Sequence, residues 1–427
     1  MPFDTHLSPD GRRLPGTREM VAMLAGLMAL NALAIDAMIP ALPDIGADLN
    51  VVRENDRQLV VVAYFIGFAS TQLIWGPLAD RFGRKPVLAA GIGLYTIFAL
   101  LCGIAGSFAL LIAGRVAMGA SAAVTRVLVV AMVRDLFESE AMARVMSLVF
   151  MVFMVVPVLA PSLGQAILLL APWRAIFLIL AAYGIAMLAW SWIRLPETLH
   201  PEYRRSLNWR TMGQAVGATL RDRQSLGYTL ALAMIFGALT AYIASIQQIV
   251  FDAFQAPQAI GLVFGMVAAP MAVASWTNSR IVERFGRRRV GHGGALAFLF
   301  VTTAHAAIAI SGAETLTIFI LLQALAMASF AFSSSNLSTL AMENMAPIAG
   351  TASAVQGVIG TIGGASLGFA IGRSFDGTAT PFVIGTATCA AVALGLVVLT
   401  EPRRLFGEKE TSASKPAPVP CVPEDLG

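Results

Sequence analysis

Charged side chains are scarce in this chain: Asp, Glu, Lys and Arg make up 13% of its 427 residues. A soluble globular chain carries about 25%, because it must clothe its surface for water. The deficit excludes an ordinary water-soluble domain and makes length a poor guide to domain number. Cysteine is scarcer still. Cys102, Cys389 and Cys421 are scattered, two in apolar runs and one in a polar tail, with neither metal-ligand spacing nor a disulfide framework. The four histidines, His6, His200, His292 and His305, form no cluster, and only His292, near one end, and His305 fall inside a predicted helix. No phosphate-binding glycine loop, metal cluster or nucleophile constellation is found, which argues against direct ATP-driven pumping and against an enzyme.

What the chain has in plenty is apolar: 57% of residues are hydrophobic and the mean hydropathy is +0.75. Runs near the ~20 residues that cross a bilayer recur along its whole length. They predict an all-α membrane protein with twelve transmembrane helices, at 21–43, 58–79, 86–106, 108–133, 145–170 and 173–195, then 225–251, 259–280, 290–312, 314–340, 350–373 and 381–400. Residues 1–20 are polar, and the first run reads as a retained helix, since a cleaved signal peptide has a shorter apolar core and a small-residue cleavage site.

The net charge of +4 and pI of about 9.2 do not signal nucleic acid, because the charges sit between apolar runs with no basic face. They read as topology signals. With both termini cytoplasmic, roughly 23 basic residues fall in cytoplasmic segments and about four outside. The chain divides into a cytoplasmic segment (1–20), a six-helix half (21–195), a cytoplasmic linker (196–224), a second six-helix half (225–400) and a flexible cytoplasmic tail (401–427). The halves are pseudo-repeats. Asp80-Arg81-Phe82-Gly83-Arg84-Lys85 after helix two recurs as Glu283-Arg284-Phe285-Gly286-Arg287-Arg288 after helix eight, an offset of 203 residues (283 − 80). A parallel six-plus-six repeat is one transporter construction, with the substrate site near the midplane between halves.

Several membrane-embedded groups stand out. A carboxylate in an apolar helix is a functional candidate by default, and Asp36 in helix one is such a group; the ordinary alternative is an interfacial Asp that stays hydrated. Helix four carries Arg115 and Arg126, eleven residues apart and so on one face about 16 Å apart. Either can line a polar cavity, or Arg115 can bond backbone carbonyls of adjacent helices. Asn31, Gln247, Gln248, Asn336 and Gln356 are polar groups that either face a cavity or make buried interhelical hydrogen bonds. Helix five has Pro157, Pro161 and Gly164, and prolines four apart kink a membrane helix.

The stretch Gly76-Pro77-Leu78-Ala79-Asp80-Arg81-Phe82-Gly83-Arg84-Lys85 resembles the signature loop between helices two and three of the major facilitator superfamily. The resemblance implies a conformational latch: Gly76 lets helix two approach a neighbour, and Asp80 sits against the positive N-terminus of helix eleven, near Gly350-Thr351, in the outward-facing state. Asp135 is a second partner for Arg81 or Arg84, and the second copy, with Ser279 and Glu283, is expected to latch more weakly. The run Asp36-Ala37-Met38-Ile39-Pro40-Ala41-Leu42-Pro43 is similar to helix one of the bicyclomycin and chloramphenicol resistance branch, the Bcr/CflA drug/proton antiporters, with Met38 where that branch has tyrosine. Arg115 with Gly119 resembles the superfamily's helix-four motif, while only Pro161 and Gly164 match its helix-five antiporter motif.

The predicted ends of helices one (43) and four (108) put Asp36 and Arg115 at nearly the same depth, the resemblance implies that these helices are adjacent, and an Asp36–Arg115 pair that responds to protonation is the expectation. The function implied is proton-coupled multidrug-type efflux of small compounds across a bacterial inner membrane, by a monomer that takes protons, a small-molecule substrate and lipid as partners and no cofactor. A proton-coupled uptake symporter, or a non-transporting sensor on the same scaffold, are the alternatives.

Overall fold

Lipid offers the backbone no hydrogen-bond partners, so a spanning segment must satisfy its own amides, and a helix does so within one segment. The computed structural model describes residues 15–137, 159–199, 209–345 and 348–401, with positions 142, 145, 149, 156 and 202 between them. Among these residues there are helices and turns and no strand. Eleven helices are long and apolar enough to cross a membrane, and the described part of the remaining span, expected over 145–170, is a shorter apolar helix.

The first span is broken. α1 (Thr17–Asp36) stops at Asp36, a 3₁₀ turn covers Ile39–Ala41, and α2 (Leu42–Asp48) completes the crossing. The sequence explains the break: Pro40 lacks the N–H that would bond the Asp36 carbonyl four residues back. Pro43 lies in the first turn of α2, where a missing N–H costs nothing. The span therefore reaches Asp48, beyond the expected end at 43. Next come α3 (Leu59–Phe82), α4 (Arg84–Gly103), α5 (Phe108–Leu136), α6 (Leu159–Leu168) and α7 (Arg174–Arg194). α8 (Trp209–Arg221) lies in the segment between the halves. The second half holds α9 (Arg223–Gln248), α10 (Ile260–Phe285), α11 (Arg287–Ile310), α12 (Leu316–Ala341), α13 (Ala349–Arg373) and α14 (Thr380–Thr400).

The sequence repeat is also a backbone repeat. α3 ends at Gly83 and α10 at Gly286, with φ of 101° and 80°, a region that glycine enters freely and other residues rarely. Buried apolar residues gather into clusters centred on each half, two of which reach across the seam: Ala365 packs with the first half and Ile39 with the second. In the first half, α3 and α5 cross at backbone contact, because a Cβ on Gly67 would overlap the Val116 carbonyl and one on Gly119 the Tyr64 carbonyl. The close approach expected at Gly76 is not there: its nearest neighbour is the Val127 side chain at an ordinary 3.8 Å.

The face on which α1 begins and α14 ends is here the proximal face, and the opposite one the distal face. Between the halves, α3 runs antiparallel to α13. Gln58 meets Gly372 near the distal face, and Gln72 meets Gly357 about halfway along. Continued at the same register, the pairing would set Asp80 opposite Gly350. Instead Gly350 has open space around it, so the helices diverge. Among the described residues, the hydrogen bonds and ion pair between the halves all lie on the distal side, and the proximal side is parted.

Candidate functional site

The distal closure is made mainly of uncharged amides, with the Arg373 guanidinium 3.8 Å from the Asp56 carboxylate beside them. Gln58 donates to the Gln248 side chain at 2.6 Å and to the Gly372 carbonyl at 3.0 Å. Gln248 donates to Asn55 at 2.8 Å, and Asn55 donates to the carbonyls of Arg373 and Phe375 at 3.0 and 2.9 Å. The last carbonyls of a helix have no intrahelical partner. Asn55 and Gln58, from the first half, thus cap the C-terminus of α13 in the second. Gly372 is required here, since a Cβ would overlap the Gln58 side chain. Gln248, a cavity candidate by sequence, is part of this closure.

Asp36 lies beside the seam, at the break in the first span. It is 4% exposed, and its Oδ1 has no hydrogen-bond partner. Ile39, three residues on, packs in the second half's core, and Tyr242 of α9 is within electrostatic reach of the Asp36 carboxyl. The Tyr242 hydroxyl is also buried without a partner. Gly164 brings α6 against this break, since a Cβ there would overlap the Ala37 carbonyl. α6 continues through Pro161, while Pro157 lies outside the described residues.

The expected Asp36–Arg115 pair is not formed. Arg115 is fully buried and donates to backbone, Nε to the Val60 carbonyl at 2.8 Å and Nη1 to the Ala34 carbonyl at 3.0 Å, while Nη2 is left unpaired; Tyr64 stacks beneath it at 4.7 Å. Ala34 is in the last turn of α1, where the break leaves carbonyls unsatisfied. The missing helical amides thus draw the guanidinium away from the carboxylate. Arg126, three turns along the same stripe, has no such partner; it is exposed.

The other polar candidates divide. Asn31 is held between Thr125 at 2.7 Å and Tyr64 at 3.0 Å, inside the first half. Asn336 donates to Asn278 at 2.7 Å and Gln356 to Ser225 at 3.4 Å, inside the second. Gln247 is buried with both ends of its amide unpaired.

On the proximal face each half carries an ion cluster. Arg84 bridges Asp80 at 2.7 Å and Asp135 at 3.1 Å, and Glu197 accepts from the backbone N–H groups of Arg84 and Lys85 at the start of α4. A carboxylate there complements the positive helix terminus. Gly83 leaves room for it, since a Cβ would overlap the Glu197 carboxylate. Lys85 stacks on Trp192, and Arg81 lies over Phe82. In the second half Arg288 bridges Glu401 at 2.8 Å and Glu343 at 2.7 Å, and Tyr228 donates to Glu401 at 3.0 Å. Burial raises the Glu401 pKa, but the Arg288 hydrogen bonds and charge outweigh it and hold the carboxyl below its usual range. The second cluster thus uses Arg288, Glu343 and Glu401, while Glu283 is exposed.

Sequence reading missed Asn55, Gln58 and Tyr242. Short loops and lone tyrosines carry no periodic signal, and only the α3–α13 register brings Asn55 and Gln58 to bear. Glu197 and Glu401 had a findable one: both follow the last helix of a half.

The model of the Major Facilitator Superfamily matches residues 24–368. An uncharacterized MFS-type transporter of Bacillus subtilis, YdgK, is 31% identical over 90% of this chain and 96% of its own length. A bicyclomycin resistance protein homolog of Haemophilus influenzae is 28% identical over 88% of this chain and 94% of its own. The multidrug resistance protein MdtL of Escherichia coli is 38% identical over a shorter stretch, 40% of this chain and 44% of its own. Among solved structures, a D-xylose-proton symporter aligns at TM-score 0.71 and 16% identity over 89% of this chain and 96% of its own, which shows the shared fold.

Proposed function

The chain belongs to the major facilitator superfamily, whose members are transporters rather than enzymes, and we propose that it exports small, largely apolar compounds in exchange for protons. The Lys and Arg distribution supports a cytoplasmic proximal face, which makes this conformation the inward-facing one. The bacterial relatives support a cytoplasmic membrane, and the bicyclomycin and multidrug resistance relatives support export.

The observation that carries the proton coupling is the Asp36 carboxyl, buried at the seam with an unpaired oxygen. An unpaired carboxylate is costly to keep charged in a dry site and cheap once the site fills with water. Parting the distal side would open Asp36 to protons from that side, and closing it would favour the protonated, uncharged form, so uptake belongs to the distal-open state. Release on the proximal side then requires water or substrate to reach Asp36 from between the halves.

Everted membrane vesicles test this with a panel of antibiotics and metabolites. Substrate-dependent alkalinisation of the interior is expected for the wild type and its loss for Asp36→Asn. Proton movement that survives in Asp36→Asn would remove this residue from the mechanism. No proton movement with any compound would overturn proton-coupled export.

A further inference from the structure

Arg126 is a cation without a counter-charge. It makes no hydrogen bond, ion pair or ring contact among the described residues. Its neighbours on α5 fix where it points. Val124 packs toward α4, where a Cβ on Gly91 would overlap its side chain. Thr125 bonds Asn31 of α1 on one flank, and Val127 lies against Gly76 of α3 on the other. Arg126 is thus directed away from α4, into the gap between α1 and α3. Both of those helices meet the second half, α1 through the turn at Ile39 and α3 along α13, so this gap faces the second half rather than lipid.

Its depth follows from the α3–α5 pairing. Gly67 abuts Val116, and Gly76 lies beside Val127, so Arg126 sits just proximal of the level of Gln72. Gln72 meets α13 at Gly357. Arg126 therefore stands just proximal of that contact, facing the space between the halves. The side chain is exposed, while its neighbours Val124 and Thr125 are buried. Asp36 cannot answer it: it is buried at the break in the first span, on the far side of Arg115.

We propose that Arg126 receives the anionic group of the substrate, and that the compounds carried are amphiphiles bearing one carboxylate or similarly delocalised negative charge. A guanidinium binds a carboxylate through two parallel hydrogen bonds, strengthened where water is restricted. The apolar remainder of the ligand would lie on the proximal side of Gln72, against the small residues at the start of α13, where Gly350 faces open space. This inference rests on the transport reading above but not on its proton coupling.

The probes are three compounds of one shape: 1-naphthoate, 1-naphthamide and 1-naphthylmethylamine. Tritiated naphthoate is bound to the full-length protein in lipid nanodiscs, with empty discs as blank, and displaced by each unlabelled compound. The wild type should prefer the anion over amide and amine by at least tenfold. Arg126→Gln should bring the three within about twofold of one another, and Arg126→Lys should keep most of the preference. Asp36→Asn should retain the anion preference while losing substrate-driven proton movement, so the two readings fail separately. A wild type that does not prefer naphthoate, or a preference that survives in a folded Arg126→Gln protein, overturns the proposal. Should Arg126→Gln fail to fold, the wild-type comparison and Arg126→Lys still decide it.

Discussion

Arg115 and Arg126 show how one residue type on one helical stripe takes two roles. The break after Asp36 strands carbonyls at the end of α1, and Arg115 satisfies one of them while bonding α3 as well. A buried hydrogen bond to a charged group is worth about 1.5–3 kcal/mol, with lower values common between membrane helices. Arg115→Gln is therefore expected to destabilise the protein by about 2 kcal/mol, read by equilibrium unfolding in mixed detergent. Its effect and that of Asp36→Asn should add to within about 0.5 kcal/mol, as for residues that share no contact. A coupling well beyond that would restore the ion pair that the sequence suggested. The pair was inferred from depth, with the first span taken to end at 43, whereas the proline break and α2 carry it to Asp48.

At the scale of elements, the long spans, the two halves and the repeated turn at Gly83 and Gly286 were legible, because a bilayer demands long apolar helices and a positive φ favours glycine. The distal closure was not. Asn55 and Gln58 look like ordinary loop polarity until the register of α3 on α13 sets them beneath exposed helix carbonyls. This closure is built mainly from amides, and its charged pair, Arg373 with Asp56, is long at 3.8 Å and partly exposed, so little of its strength depends on salt. Asn55→Ala removes three of its hydrogen bonds, at about 0.5–1.5 kcal/mol each before water replaces them. We expect on the order of a tenfold gain in the distal-open population. Spin labels at Val52 and Ser374, which flank the closure on opposite halves and are both exposed, would report a longer-distance population in electron–electron resonance. An unchanged distance distribution would show that the amides are incidental to closure.

For the whole molecule, the consequence is that one helix is read at both ends. In this conformation the C-terminus of α13 is capped by donors from the distal end of α3. Extending the same antiparallel register brings Asp80, at the proximal end of α3, to Gly350 at the α13 N-terminus. An acidic group is the right partner there, as amide donors are right at the other end, because the helix dipole is positive at its start and negative at its finish. Asp80 now rests on Arg84 with its carboxylate partly exposed, so it is free to exchange partners when the proximal side closes. The two contacts cannot both form, and alternating access becomes a competition between them. Asp80→Asn should therefore shift the Val52–Ser374 distances toward the distal-closed population, opposite in sign to Asn55→Ala. A charge at a helix terminus contributes about 0.3–1 kcal/mol, more where partly buried, so the shift should be about two- to fivefold. The double variant should fall between the two singles. If Asp80→Asn moves the distribution the same way as Asn55→Ala, or not at all, α13 is not the element over which the two ends of α3 compete.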